Sequence, residues 1–189
     1  MSFQSWQETL IVAKSDGTAL TASVTATSIL PAAARCTIPA GFMQPGKTVR
    51  LTARGRVSNI VTTPGTLTLD VRMGPTSNII VWNGGAMALN IVAKTNVTWD
   101  FDVLLTCRAE GSGTSANLMG IGQFTSESVI GSPLPSAGGA GTLLLPSSAP
   151  AVGTGFDSTV AMVVDLFATW SLNNANSIQV HQYMLEALN

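Results

Sequence analysis

The chain has 189 residues and a net charge of −1, and its nine Lys and Arg residues are scattered along it. Because a phosphate backbone is bound by clustered cations, this distribution argues against a nucleic-acid partner. The length fits one domain, so residues 1–189 are expected to form a single β-sandwich. No apolar run approaches the roughly 20 residues of a membrane span, so we expect no membrane insertion.

Only 10% of the residues are charged, whereas 46% are hydrophobic. A typical soluble domain has about a quarter of its residues charged. A surface with so little charge is expected to be covered in part by other subunits. The composition therefore predicts obligate assembly.

Short runs of alternating apolar and polar residues follow one another along the chain, with turn residues between them. This is the pattern of an antiparallel sandwich, and it predicts an all-β fold, a two-sheet jelly roll. The predicted strands cover residues 8–13, 19–29, 34–38, 50–57, 66–73, 78–82, 86–91, 97–108 and 117–125. Thr63-Pro64-Gly65 predicts a hairpin between two of these strands, and Asn83-Gly84 predicts another.

Two further strands are predicted at 159–170 and 178–185, joined by an Asn-rich turn. In strict alternation Ile178 and Val180 share one face of the last strand, and His181, Tyr183 and Leu185 share the other. Both faces then carry large side chains, which a sheet with one packed face does not need. We interpret the second face as covered by a neighbouring subunit, the alternative being one large core.

Residues 131–155 are rich in Gly, Pro, Ser and Ala and predict a long loop that contains the apolar run Leu143-Leu144-Leu145. Such loops are uncommon in compact domains. Two readings stay open, a contact arm that orders on a partner and a crossover laid over the chain's own surface. Residues 1–7 pose the same question, because Phe3 and Trp6 suit an N-terminal arm that anchors on a neighbour.

Cys36 and Cys107 lie on separate predicted strands, and the chain starts without the features of a secretory signal. We expect folding in the reducing host cytoplasm with two free, buried thiols. A disulfide is the less favoured alternative. Their spacing does not match a typical zinc site.

Groups suited to catalysis are scarce. His181 is the single histidine, and its place on a strand favours packing over general-base chemistry. Asp100 and Asp102 lie on one strand face, where a solvated or cation-paired role is favoured over a glycosidase pair. The clustered Arg50, Arg54 and Arg56 are interpreted as a solvated or inter-subunit face. We expect a protein that is not an enzyme, with no cofactor and no metal.

The last part of the chain resembles a known group of proteins. The matching residues are Phe156-Asp157-Ser158-Thr159-Val160, Asp165-Leu166-Phe167-Ala168-Thr169-Trp170, Asn176-Ser177-Ile178-Gln179-Val180-His181-Gln182-Tyr183 and Leu185-Glu186-Ala187-Leu188-Asn189. They are similar to the closing strands of small structural proteins of tailed bacteriophages. The resemblance covers roughly the last fifth of the chain. It implies a jelly-roll or tumour-necrosis-factor-like sandwich, a virion location and assembly as a homotrimer.

Within that group we expect a capsid decoration, or cement, protein that binds the major capsid protein on the outer surface of the assembled head. Phe167, His181 and Tyr183 are the predicted subunit contacts. The predicted capsid contacts are Phe3, Trp6, Leu143, Leu144 and Leu145. The alternative is a head-fibre or tail-fibre module that binds a host receptor or glycan, with Trp82 as the residue to stack on a sugar. A virion hydrolase is disfavoured by the scarcity of histidine and paired acids.

Overall fold

The computed structural model describes residues 7–130, 141–147 and 149–188. Within these ranges thirteen strands, numbered β1 to β13 in chain order, form two antiparallel sheets, and Ala32–Ala34 forms a single turn of 3-10 helix. The prediction of an all-β fold with two antiparallel sheets is confirmed. None of the described residues belongs to a helix long and apolar enough to cross a membrane.

The larger sheet has eight strands in the order β1-β13-β5-β8-β9-β10, with β2 also beside β13 and β11 also beside β9. Its strands are β1 (Glu8–Val12), β2 (Leu20–Thr21), β5 (Thr48–Asn59), β8 (Lys94–Ala109), β9 (Ala116–Ser126), β10 (Gly141–Leu145), β11 (Val152–Phe156) and β13 (Ser177–Ala187). Two short strands therefore extend the sheet at each edge.

The smaller sheet has five strands in the order β3-β12-β6-β7, with β4 also beside β12. Its strands are β3 (Thr27–Ser28), β4 (Cys36–Ile38), β6 (Thr66–Met73), β7 (Ile79–Ala88) and β12 (Met162–Trp170). The predicted strand 19–29 is divided because this segment leaves the larger sheet after β2 and enters the smaller sheet at β3.

The core lies between the sheets, where alternating residues of each strand meet. On β8 the inward residues Trp99 and Phe101 are fully buried. Trp99 stacks on Phe124 of β9 with ring centroids 5.7 Å apart, and Phe101 lies 5.6 Å from the Trp82 ring of β7. The Trp82–Phe101 contact joins the two sheets across the sandwich, whereas Trp99 and Phe124 stack within the larger sheet. Cys36 and Cys107 are free and buried in the same core, as predicted.

Neither predicted hairpin forms. β5 and β6 lie in different sheets, so Thr63-Pro64-Gly65 carries the chain from one sheet to the other. Asn83-Gly84 lies inside β7, where the register with β6 shifts between Thr68 and Asp70. The Asn83 side-chain oxygen accepts a hydrogen bond from the Gly85 N–H at 2.8 Å. A β-bulge therefore absorbs the glycines that the sequence suggested as a turn.

The sequence predicts a long loop over residues 131–155, and this prediction is wrong for most of the residues in that range that the structure describes. β10 and β11 lie within it, and both pair with β9 on the same edge. One glycine of this stretch lets β11 approach the other sheet, since a Cβ on Gly153 would lie 1.6 Å from the Val81 carbonyl oxygen. Residues 131–140 lie outside the described residues.

The prediction for the faces of β13 is also wrong, because the strand contains a bulge. Val180 pairs with Gly55 and Gln182 pairs with Arg54, so His181 is an extra residue in the ladder. A one-residue slip moves every later side chain to the opposite face. Tyr183 therefore joins Ile178 and Val180 in the core, where it is only 1% exposed.

Gly55 permits the close contact between β5 and β13 beside this bulge. A Cβ at Gly55 would lie 1.8 Å from the Gln179 carbonyl oxygen and 3.1 Å from the Trp99 ring. We predict that Gly55→Ala lowers the free energy of unfolding by more than about 3 kcal/mol, because backbone and a packed ring must move. Urea unfolding measures this change.

Gly113→Ala is the control for Gly55→Ala, because a Cβ at Gly113 meets nothing within 4 Å and only the positive φ of 69° opposes it. The expected cost at Gly113 is about 1 kcal/mol. If the two variants lose the same free energy of unfolding, the contact with β13 is not the reason that position 55 requires glycine.

Candidate binding surface at one end of the sandwich

Four loops meet at the end of the sandwich where β5, β7 and β12 finish. They are residues 22–26, 60–65, 89–93 and 171–176, and together we call them the loop end. The Thr62 N–H donates a hydrogen bond to the Ile91 carbonyl at 2.9 Å, and the Ala22 N–H donates to the Asn176 carbonyl at 3.4 Å. These bonds join neighbouring loops into one surface.

Buried asparagine amides hold the loops in place. The Asn176 side chain accepts a hydrogen bond from the Ile60 N–H at 3.0 Å and donates to the Pro64 carbonyl at 2.6 Å. Asn59 donates to the carbonyls of Asn90 at 2.6 Å and Val92 at 3.1 Å. Loop backbone that leaves a sheet needs such partners, because an unpaired buried polar group is costly.

The outward side chains of the loop end are uncharged, and many of the large ones are apolar. The four loops contain no charged residue. Large side chains that remain between 44% and 59% exposed are Val24, Val61, Ile91, Val92 and Leu172. The Lys94–Glu127 pair begins directly after the loop 89–93, with its Nζ and Oε2 atoms 3.5 Å apart. Apolar residues that stay exposed on a well-fixed surface are typical of a protein-binding site.

Two local features at the loop end are unfavourable for folding. Thr62 has a φ of 72°, a left-handed conformation that is rare for a β-branched residue. The side-chain oxygen of Asn59 is buried without a hydrogen-bond partner. Such strain concentrates at functional sites.

The outer face of the larger sheet has a different character. Its centre carries the ion pairs Arg50–Asp102 and Arg54–Asp100 between β5 and β8. Arg56 donates to the Thr98 hydroxyl at 2.6 Å on the same face. The predicted cation-paired role of the two aspartates and the polar-face assignment of the arginines are therefore confirmed.

The predicted subunit contacts do not lie together. Phe167 is half-buried on the outer face of the smaller sheet, with the Arg72 guanidinium carbon 4.0 Å from its ring centroid. His181 lies on the larger sheet, where its Nδ1 is 3.0 Å from the Asp16 carboxylate. Tyr183 is inside the core, so it is not available to a neighbouring subunit, and its role as a contact is corrected.

The predicted capsid contacts separate in a similar way. Phe3 and Trp6 lie outside the described residues. On β10, Leu143 is half-buried against the core, Leu144 is 77% exposed and Leu145 is 1% exposed. Leu145 is therefore a core residue and not a capsid contact, because alternate residues of a strand point to opposite faces.

Trp82 is also a core residue, and its Nε1 donates to the Gly120 carbonyl at 3.0 Å. It is therefore not available to stack on a sugar. The described residues include no group of three or more His, Cys, Asp or Glu placed to hold a metal ion.

Sequence reasoning did not find the loop end. Exposed loops are usually polar. The four connecting segments contain Val, Ile and Leu and no charged residue, and this unusual composition is the signal that could have identified them. The spacing of the asparagines gave no indication that their amides converge, because the loops they join are distant in the chain.

No family model matches the chain, and no curated protein matches it. Among solved structures it is similar to the CBM2 module of the evolved Dit of Lactobacillus casei BL23 phage J-1. The two chains are 12% identical, the match covers 98% of each, and the TM-score is 0.34. A similarity this weak does not establish a common fold and carries no weight for function.

Asn176 offers a direct test of how the loop end is held. We predict that Asn176→Ala lowers the free energy of unfolding by about 2–4 kcal/mol, because the Ile60 N–H and the Pro64 carbonyl both lose their partner. Asn173→Ala is the matched control, since Asn173 is exposed on the same loop. If both variants unfold at the same urea concentration, the amide does not hold these loops.

We expect the stability of the protein to depend on pH because of the buried carboxyl group of Asp165, two residues before Phe167. Burial raises the pKa of its carboxyl, and the Ser28 hydroxyl at 2.7 Å and the Arg35 Nε at 3.1 Å oppose the shift only in part. The folded protein therefore holds this proton more tightly than the unfolded chain. The resulting stabilisation is complete below the ordinary pKa of 3.8 and is lost as pH rises through the raised pKa.

We predict that Asp165→Asn raises the urea midpoint at pH 7 and leaves it unchanged at about pH 3, where Asp165 is already protonated. Asp157→Asn is the control of opposite sign, because hydrogen bonds from Thr159 and Gly113 lower the pKa of the exposed Asp157. A lower midpoint for Asp165→Asn at pH 7 would contradict the prediction.

Proposed function

We propose that this chain is a structural protein of a tailed bacteriophage that decorates the outside of the assembled head. In this proposal the loop end binds the major capsid protein. The observation that carries the proposal is the loop end itself, an uncharged surface of exposed Val, Ile and Leu held in place by buried amides. The resemblance of the closing strands to phage structural proteins supplies the virion context.

The chemistry of the loop end suits a protein partner. The buried centre of a protein interface is depleted of charge and enriched in apolar side chains. The hydrogen bonds from Asn59 and Asn176 fix the loops before binding, so less conformational entropy is lost when a partner docks. A fixed apolar surface of this kind favours attachment to another ordered surface, such as an assembled shell.

A decoration protein acts through linked equilibria. A protein that binds the assembled head and not the dissociated subunits adds its binding free energy to the stability of the head. This role needs only a stable fold and a complementary surface. No step of it requires an acid, a base or a cofactor.

The fibre-module alternative has less support. Glycan sites commonly use aromatic rings that stack on sugars, but Trp82, Trp99 and Trp170 are all buried. Two of the described Phe rings are partly exposed, and each has a cation over it. The Lys47 Nζ lies 4.9 Å from the centroid of the Phe42 ring, and the Arg72 guanidinium carbon lies 4.0 Å from that of Phe167. One face of each ring is therefore already occupied by a cation.

Co-sedimentation with expanded heads that lack decoration tests the proposal. We predict that the wild-type protein pellets with heads, and that Val61→Asp and Leu172→Asp each weaken binding at least about ten-fold, roughly 1.4 kcal/mol. The physical reason is that each variant places a charge at the centre of an apolar contact. Both positions are exposed, so the fold should tolerate the change.

Val160→Asp is the matched control, because Val160 is 38% exposed in the loop before β12, at the opposite end of the sandwich. It should pellet as the wild type does. Wild-type protein that stays in solution with heads but binds host cells would refute the decoration role in favour of a fibre module. Pelleting that is unaffected by the Val61 and Leu172 variants would refute the placement of the contact.

A further inference from the structure

The outer face of the larger sheet carries exposed and half-buried apolar residues at both of its edges, which the decoration role does not use. At the β9, β10 and β11 edge the strand register brings them together, with Leu104 opposite Ile121 and Met119 opposite Val152. Leu144 opposes Gln123 in the next cross-strand row and is 77% exposed. This group, Leu104, Met119, Ile121, Leu144 and Val152, is here called the β9–β10 patch.

The opposite edge of the same face carries a shallow pocket of about 260 Å³. Val12, Thr52 and Met184 contribute to its lining, together with the polar side chains of Arg54 and Gln182. Val12 pairs with Met184, and Met184 pairs with Thr52. The face therefore has a protruding apolar group at one edge and an apolar depression at the other.

Cross-strand register places the protrusion and the pocket in one row. From Val12 the row runs through Met184, Thr52, Asp102 and Gln123 to Leu144. Its two ends are apolar and its middle is polar. The middle strands β5 and β8 are the central pair of the six-strand path.

We propose that this face binds the same face of a second copy of the chain, in a two-fold dimer whose axis runs along β5 and β8. A rotation about that axis places Leu144 of each copy over the Val12 and Met184 pocket of the other. In a two-fold contact each residue pairing occurs twice, so one protrusion and one pocket per chain are sufficient.

Charge complementarity favours a second copy over an unrelated partner. The same rotation lays β5 of each copy, with Arg50 and Arg54, over β8 of the other, with Asp100 and Asp102. Arg54 and Asp100 are opposite each other in the ladder, so they also meet at one level across the dimer axis. These four side chains are already paired within each chain, and the rotation sets opposite charges, not like charges, against each other across the contact.

The size of the face is adequate for a stable dimer. Five strand intervals of about 4.8 Å make it about 24 Å wide, and the twelve residues of β5 extend about 40 Å. A contact over most of this area approaches the roughly 800 Å² per partner of a standard protein interface. Face-to-face packing of two twisted sheets is a common arrangement.

A cysteine pair provides the test. In the full-length Val12→Cys/Leu144→Cys variant the two thiols of one chain are about 24 Å apart, far beyond disulfide range, so only an intermolecular bond can form. The native Cys36 and Cys107 are buried and do not compete. On mild oxidation we expect a covalent dimer, and neither single-cysteine variant should give one.

Each other outcome contradicts the proposal in a specific way. Covalent trimers or longer products would show a head-to-tail contact without the two-fold axis. Cross-linking of Leu144→Cys alone would mean that the patch meets its own copy. Absence of any cross-link would mean that the two edges do not meet.

Sedimentation equilibrium gives an independent measurement without cysteines. We expect wild-type protein to dimerise, Leu144→Asp to weaken dimerisation at least ten-fold, and Val160→Asp to behave as the wild type. Circular dichroism of Leu144→Asp should match that of the wild type, because this side chain is exposed. A wild-type chain that remains monomeric at tens of micromolar, or that forms a trimer, would overturn the proposal.

Discussion

Backbone N–H and C=O groups need hydrogen-bond partners wherever the chain leaves a sheet, and this constraint determines how the loop end is built. β5, β7 and β12 all finish there, and the chain crosses to the other sheet after each of them. Sheet ladders cannot satisfy the groups in these crossings. The amides of Asn59 and Asn176 satisfy several of them, together with backbone hydrogen bonds between loops such as that from the Thr62 N–H to the Ile91 carbonyl.

This arrangement joins stability to binding. Because side-chain amides satisfy the loop backbone, the loops need no charged residues of their own, and their Val, Ile and Leu side chains remain exposed. The left-handed Thr62 shows that the loop conformation is kept despite a local cost. A surface that is both fixed and apolar is suited to a partner that is itself rigid.

The two proposed surfaces also account for the unusual composition. A chain with 10% charged residues has several of its charges paired on the outer face of the larger sheet, as Arg50–Asp102 and Arg54–Asp100. The remaining surface is correspondingly apolar at the loop end and at the β9–β10 patch. In the two proposals above, a capsid protein covers one area and a second copy of the chain covers the other.

Much of the fold could be predicted from the sequence because alternation within a strand is a local signal. Residues 97–108 were predicted as a core strand, and the structure has β8 there with Trp99 and Phe101 buried. The same local reasoning placed Tyr183 on the wrong face. The bulge at His181 is set by the pairing with Gly55, far away in the chain, and alternation alone does not reveal it.

Pairing between strands was predicted less well, for a similar reason. Thr63-Pro64-Gly65 is a good turn sequence, but a turn does not specify whether the next strand joins the same sheet. β11 lacks the usual strand composition, because at Gly153 the close approach of the Val81 backbone leaves no room for a side chain. The candidate site was missed since it is formed by loops that only the completed fold brings together.

Electron cryomicroscopy of expanded heads incubated with the purified protein would show whether and how the chain attaches. We expect density for the sandwich on the outer surface of the head, oriented with Val61, Ile91 and Leu172 against the major capsid protein. Density with the Val160 loop toward the shell, or heads that remain bare, would contradict it.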